Sequence, residues 1–138
     1  MIPGLIGKSE MIVKKEDLVS LLADVTVNAL STPRLIQLLE AAAVEAIREF
    51  VPAEKISLGA EVNIKHLSPT PLGMKVTAHA ILQRVDQNRL FFLVDAFDEI
   101  EKVAEGDHKR VIVSKGRFLQ KVEKKRLEKA EIKDETKE

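Results

Sequence analysis

The chain has 138 residues, one domain at roughly 100–200 residues each and long enough to hide about 70% of its unfolded surface. Hydrophobic residues make up 45% and charged residues 32%, which excludes a disordered chain, and no apolar run reaches the ~20 residues that span a bilayer. Twenty-two Lys and Arg balance 22 Asp and Glu, against a nucleic-acid binder, and the lack of cysteine removes disulfides, thiolate metal sites and a Cys nucleophile.

Met1-Ile2-Pro3-Gly4 lacks the basic start and apolar stretch of a signal peptide, so a soluble cytoplasmic protein is expected. Glu10–Val13 reads as a strand and Asp17–Ala23 as a short helix. Ser31-Thr32-Pro33 is a helix start: a hydroxyl at the N-cap, with Thr32 directly before proline at the first helical position. Residues 33–50 then carry Leu35, Ile36, Leu38, Leu39, Ala42, Ala43, Ala46, Ile47 and Phe50. That apolar girdle predicts a helix wrapped on several sides, ended by Val51-Pro52.

After the helix the period changes to two. Leu58, Ala60, Val62, Ile64 and His66 share one parity, and Ser68–Gly73 breaks the strand. Met74, Val76, Ala78, Ala80 and Leu82 alternate with polar residues up to a hairpin turn at Asp86-Gln87-Asn88. Leu90–Ala96 is a third strand, and a fourth runs from about Val103 to Leu119. Short connections between long strands predict an antiparallel meander. The expected organisation is a domain over 1–120 and a highly charged tail over 121–138, a frayed helix or disordered. One apolar helix against a long sheet gives an α+β domain, the sheet wrapped around the central helix. The other face or an edge should meet a second copy.

Three residues could carry chemistry. Glu40 has apolar helical neighbours at Ile36, Ala43, Val44 and Ile47, so its carboxylate leaves an apolar stripe. It reads as a general base or water-positioning group, or as a snorkelling or interface-paired glutamate. His66 ends the apolar face of its strand, as a proton relay or a satisfied core residue. Thr32 is explained as an N-cap, yet a hydroxyl at a helix N-terminus can also help hold an anionic intermediate. His108 and Arg110 share a face with Ala104, Gly106 and Ile112 and could bind an anion or tie sheet to helix. His79 sits among Lys75, Thr77 and Gln83, on a solvated face. The histidines show no metal-binding spacing, and neither a phosphate loop nor a Gly-x-Ser-x-Gly elbow is present.

Together these residues resemble the hotdog-fold acyl-CoA thioesterases, within them the fluoroacetyl-CoA thioesterase-like group. That group has a threonine at the helix start, a glutamate eight residues on and a histidine 26 residues later, spacings that fall on Thr32, Glu40 and His66. Ser57-Leu58-Gly59, the His66–Gly73 run and Gly106-Asp107-His108-Lys109-Arg110 match further motifs, over about Thr32 to Val113. The resemblance implies a homodimer, or a tetramer of two paired dimers, that hydrolyses a small or medium acyl-CoA. CoA would enter only as part of the substrate, with no cofactor or metal. It implies Thr32, Glu40 and His66 as catalytic residues, through direct water attack or an acyl-enzyme. Gly59 N–H would polarise the carbonyl, and Arg110 would bind substrate or CoA. Thr32 and Glu40 would meet His66 of the other chain. The fluoroacetyl-specific enzyme shields its site with an aromatic-containing lid. Here Leu21–Val27 stands in that place, no aromatic precedes Phe50, and ordinary short acyl-CoAs are the expected substrates. A hotdog hydratase or dehydratase, and a non-catalytic acyl-binding or dimerisation domain, are the alternatives.

Overall fold

The computed structural model describes residues 1–19 and 27–136, with side chains of the last helix up to Lys133. Its elements are β1 (Ile6–Ile12), α1 (Thr32–Ile47), β2 (Lys55–His66), β3 (Lys75–Asp86), β4 (Arg89–Phe97), β5 (Lys102–Ser114) and α2 (Lys115–Thr136). The strands form one antiparallel sheet in the order β1-β3-β4-β5-β2, so β1 and β2 are its edges. This is the α+β arrangement expected, a curled sheet around one helix.

The helix starts one residue earlier than the sequence suggests. Ser31 is the N-cap: its backbone is extended and its Oγ accepts from the Arg34 N–H at 3.3 Å. Thr32 is therefore the first helical residue. The helix closes at Ile47 and continues as a 3-10 turn over Arg48–Phe50. Leu35, Leu38, Leu39, Ala42, Ala43, Ala46 and Ile47 are buried, against Val76, Ala78, Ala80 and Leu82 of β3 and Leu90, Phe92, Val94 and Ala96 of β4. The girdle is not closed within one chain: Ile36, Glu40 and Val44 form a half-buried strip, and Ala41 is exposed. β1 starts four residues before Glu10, and at Gly7 it touches the helix backbone. A Cβ there would lie 2.0 Å from Ala42 O.

Register shifts interrupt the alternation on β2, β3 and, between Ala96 and Phe97, in the β4–β5 pair. On β2, Gly59 opposes Arg110 and Glu61 opposes Lys109, so Ala60 is the extra residue. Strict alternation groups Leu58 and Ala60 with Val62, Ile64 and His66. The bulge instead puts Ser57 and Gly59 on that helix-facing side and turns Leu58 away. Gln83 is the extra residue of β3. The β3–β4 hairpin turns through Gln87 at φ 57°.

β5 ends at Ser114, not near Leu119, because α2 begins at Lys115. The charged tail is helical over that span, and Leu119, Val122, Leu127 and Ile132 stay exposed on it. A 3-10 turn occupies Lys15–Asp17. The rest of the short helix expected over Asp17–Ala23 falls mostly outside the described residues, as do residues 21–26 of the lid segment. Among the described residues no helix is long and apolar enough to cross a membrane.

Candidate active site

Two polar clusters lie where α1 meets the concave face. The first joins Thr32 to His66. Because Ser31 does the capping, the Thr32 hydroxyl is free to turn toward the strand, and its Oγ1 lies 2.7 Å from His66 Nδ1. His66 ends β2, and the strand end is held by the Leu67 N–H donating to Val103 O at 2.8 Å. The first turn of α1 is anchored separately. Asp17 accepts from Arg34 Nε at 3.1 Å, and its carbonyl accepts the Ser31 N–H at 2.8 Å. Burial pushes the His66 imidazole below its ordinary 6.5, against an opposing pull from the Ser68 backbone. Its Nε2 is buried with no partner among the described residues. The ring is thus neutral at neutral pH, one nitrogen on a hydroxyl and the other open, an arrangement suited to moving a proton.

The second cluster surrounds Arg110. Its Nη1 donates to Glu40 Oε2 at 3.0 Å, its Nε to Ser57 Oγ at 3.1 Å and its Nη2 to Ser57 O at 3.1 Å. His108 Nε2 lies 3.1 Å from the same Nη1, and its Nδ1 lies 2.8 Å from Glu61 O. Arg110 and His108 are 6% and 2% exposed, whereas the Glu40 side chain is 36% exposed. Desolvation lowers the Arg110 pKa while Glu40 raises it. The apolar neighbours of Glu40 along the helix do not name this partner, because Arg110 reaches it from 70 residues away. Gly59 is the space that allows the contact: a Cβ there would sit 2.4 Å from Glu40 Oε2.

One chain does not bring the clusters together. Eight residues of helix, ~12 Å of axis, separate Thr32 from Glu40. Thr32 meets His66 within its own chain, not across two chains as expected. Glu40 reaches Arg110 and not His66. His79 lies on the other face of the sheet, 3.1 Å from Asp95 Oδ1 with 44% of its side chain exposed. Ser57 entered the sequence reading only as part of a motif. Its link to Arg110 was hidden by the bulge at Ala60, which changes its face. Asp17 gave no sequence signal beyond being an acid in a polar stretch. Among the described residues no group of three or more His, Asp or Glu is placed to hold a metal ion.

The geometry has close relatives. The sequence model of the fluoroacetyl-CoA-specific thioesterase family matches residues 13–116. The fluoroacetyl-CoA thioesterase of Streptantibioticus cattleyicolor is 32% identical over 95 residues, 69% of this chain and 68% of that protein. The chain belongs to this thioesterase family. A solved structure of the fluoroacetyl-CoA thioesterase superposes with a TM-score of 0.86 at 27% identity, over 91% of this chain and 97% of that one. A hot-dog-like protein from Thermanaerovibrio acidaminovorans gives 0.82 at 26% identity, over 89% and 91%. The fold is therefore the hotdog fold, and the enzyme is a hydrolase of acyl-CoA thioesters. All but the first two residues of α2 lie beyond the family match.

Proposed function

We propose that this thioesterase hydrolyses short acyl-CoAs through the Thr32–His66 pair, with Glu40 supplied by the second subunit of a homodimer. The observation that carries the reading is the 2.7 Å contact between a helix-start hydroxyl and a histidine that burial keeps neutral. His66 takes the Thr32 proton as Oγ1 attacks the thioester carbonyl carbon. The C–S bond then breaks, and the CoA sulfur leaves with the proton from His66. Water, oriented by the Glu40 carboxylate of the second subunit and deprotonated by the His66 imidazole, cleaves the resulting ester, and His66 returns that proton to Thr32 Oγ1. The N–H of Gly59 polarises the thioester carbonyl as charge builds on its oxygen. These steps use no cofactor.

The free edge of the sheet supports the dimer. β2 is a twelve-residue edge strand, and a long uncovered edge pairs readily with another. Antiparallel pairing of β2 with its copy, about a dyad near Ala60, sets the Ser57 end of one strand beside the Ile64–His66 end of the other. Glu40 and Arg110 of one chain then approach Thr32 and His66 of its partner. The half-buried strip Ile36, Glu40 and Val44 becomes contact surface. Release of free thiol from acetyl-, propionyl- and butyryl-CoA tests the reading. Thr32→Ala and His66→Ala should each lose most of the rate, and a trapped acyl group should map to Thr32. Full activity in Thr32→Ala would overturn the covalent step.

A further inference from the structure

We propose that His108, which the reaction above does not use, is a positioning residue: it holds Arg110 in the one orientation that aims the Glu40 carboxylate. The inference rests on the proposed role of Glu40.

Hydrogen-bond polarity fixes the state of this ring. Glu61 O can only accept, so the His108 Nδ1 facing it at 2.8 Å carries a proton. Arg110 Nη1 can only donate, so the Nε2 facing it at 3.1 Å carries none. His108 is therefore neutral, in the Nδ1–H tautomer. Its burial and the neighbouring Arg110 charge both disfavour a second proton, and these outweigh the Glu61 carbonyl and Glu40, which favour one. Phe92 of β4 stacks on the ring, centroids 6.1 Å apart at 29°. The imidazole is thus braced by β2, β4 and β5.

A guanidinium Nη carries two protons. One Nη1–H of Arg110 goes to Glu40 and the other to His108, while Nε and Nη2 go to Ser57. Each of the three nitrogens is held, so the fork cannot rock in its plane. Without His108 an Nη1–H, 6% exposed with its residue, would lack a partner, and Arg110 would turn to recover one. Glu40, bonded to that nitrogen through Oε2 alone, would follow. His108 Nε2 lies 3.9 Å from Glu40 Oε2, outside hydrogen-bond range, so it acts on the carboxylate through Arg110.

Two variants of the full chain test this, with two readouts. In His108→Gln the amide can donate to Glu61 O and accept from Arg110 Nη1, whereas His108→Leu fills the space and does neither. NMR of the wild type should show His108 as a neutral Nδ1–H tautomer at pH 7, and the Arg110 Nε–H should exchange slowly. That protection should survive in His108→Gln and vanish in His108→Leu. Thiol release should follow: kcat falls ~10–100-fold in His108→Leu, as for a misplacement of about 1 Å, with KM little changed, and recovers in His108→Gln. An Nε2–H tautomer, or equal Arg110 protection in both variants, would overturn the positioning role. Normal kcat in a folded His108→Leu would do the same. Absence of thiol release in the wild type would instead refute the proposed reaction, and the NMR readout would still decide whether His108 holds Arg110.

Discussion

Glu40→Gln separates the structural from the chemical contribution of this side chain. Read from its helical neighbours alone, Glu40 sits in apolar surroundings, where removing a charge would leave stability unchanged or raise it. The ion pair reverses that sign. Arg110 is 6% exposed and 3.0 Å from Glu40 Oε2, so neutralising Glu40 leaves a buried cation without its counter-charge. Breaking a fully buried pair costs ~3–5 kcal/mol. Two features reduce that figure. The Glu40 side chain is 36% exposed, so water screens the carboxylate, and glutamine still accepts a neutral hydrogen bond from Nη1. What remains is the difference between a charged and a neutral hydrogen bond, ~1–2 kcal/mol, or a fall in Tm of about 3–10 °C for a domain of this size. If the carboxylate also serves as base to the neighbouring site, kcat should fall ~10²–10⁴-fold. Thiol release and thermal midpoint are measured on one sample. A lower Tm with kcat per folded molecule within ~3-fold of wild type would refute catalytic participation and leave Glu40 as the structural partner of Arg110.

Gly59→Ala places a methyl 2.4 Å from Glu40 Oε2. That oxygen can swing away only by releasing Arg110 Nη1, so stability should fall by at least ~1–2 kcal/mol and kcat should drop, and unchanged turnover would count against the Glu40 geometry. Gly7→Ala meets helix backbone, Ala42 O at 2.0 Å and Ala46 N at 2.4 Å. Backbone cannot swing, so ~3 kcal/mol or more should be lost, visible in a denaturant melt, and a wild-type midpoint would show that β1 does not press on α1. His66 and His108 both have pKa values held below 6.5 by burial. The unfolded chain then binds those protons more readily, so their contribution to stability is complete above 6.5 and is lost as pH falls toward the folded values. Tm should decline between about pH 7 and 5, and a Tm that rises on acidification would contradict the burial of both rings.

The fold was legible because its largest signals are local. An 18-residue apolar helix behind a hydroxyl-proline start, then strands with period two and short turns, leaves few topologies. The errors fall where two local rules compete. Ser31 and Thr32 can both cap a helix, and only tertiary contact decides: capping by Ser31 lets Thr32 reach His66. β5 was extended to Leu119 because Phe118 and Leu119 continue its apolar run. Yet β2 begins at Lys55, which pairs with Ser114, so no strand residue remains to extend the β2–β5 ladder beyond Ser114.

The site was less legible, because a single residue sets its geometry. Ala60 looks like any small strand residue, and alternation carries straight through it. As a bulge it turns Ser57 and Gly59 toward the helix and Leu58 away from it, which is what gives Arg110 a hydroxyl and a carbonyl to bind and gives Glu40 room to cross. In strict register with Ala60 kept, Ala60 would oppose Arg110 in place of Gly59, and its Cβ would fill the space that Gly59 leaves for Glu40, while Leu58 would oppose Ile112 in place of Ser57. The carboxylate and the guanidinium could not then meet at 3.0 Å. The bulge also lies near the middle of the free edge, where a copy of β2 would pair. In the proposed dimer a local twist there would govern both how the two chains meet and where each presents its ion pair, so the same residue that misleads a reading by alternation would couple assembly to the placement of Glu40.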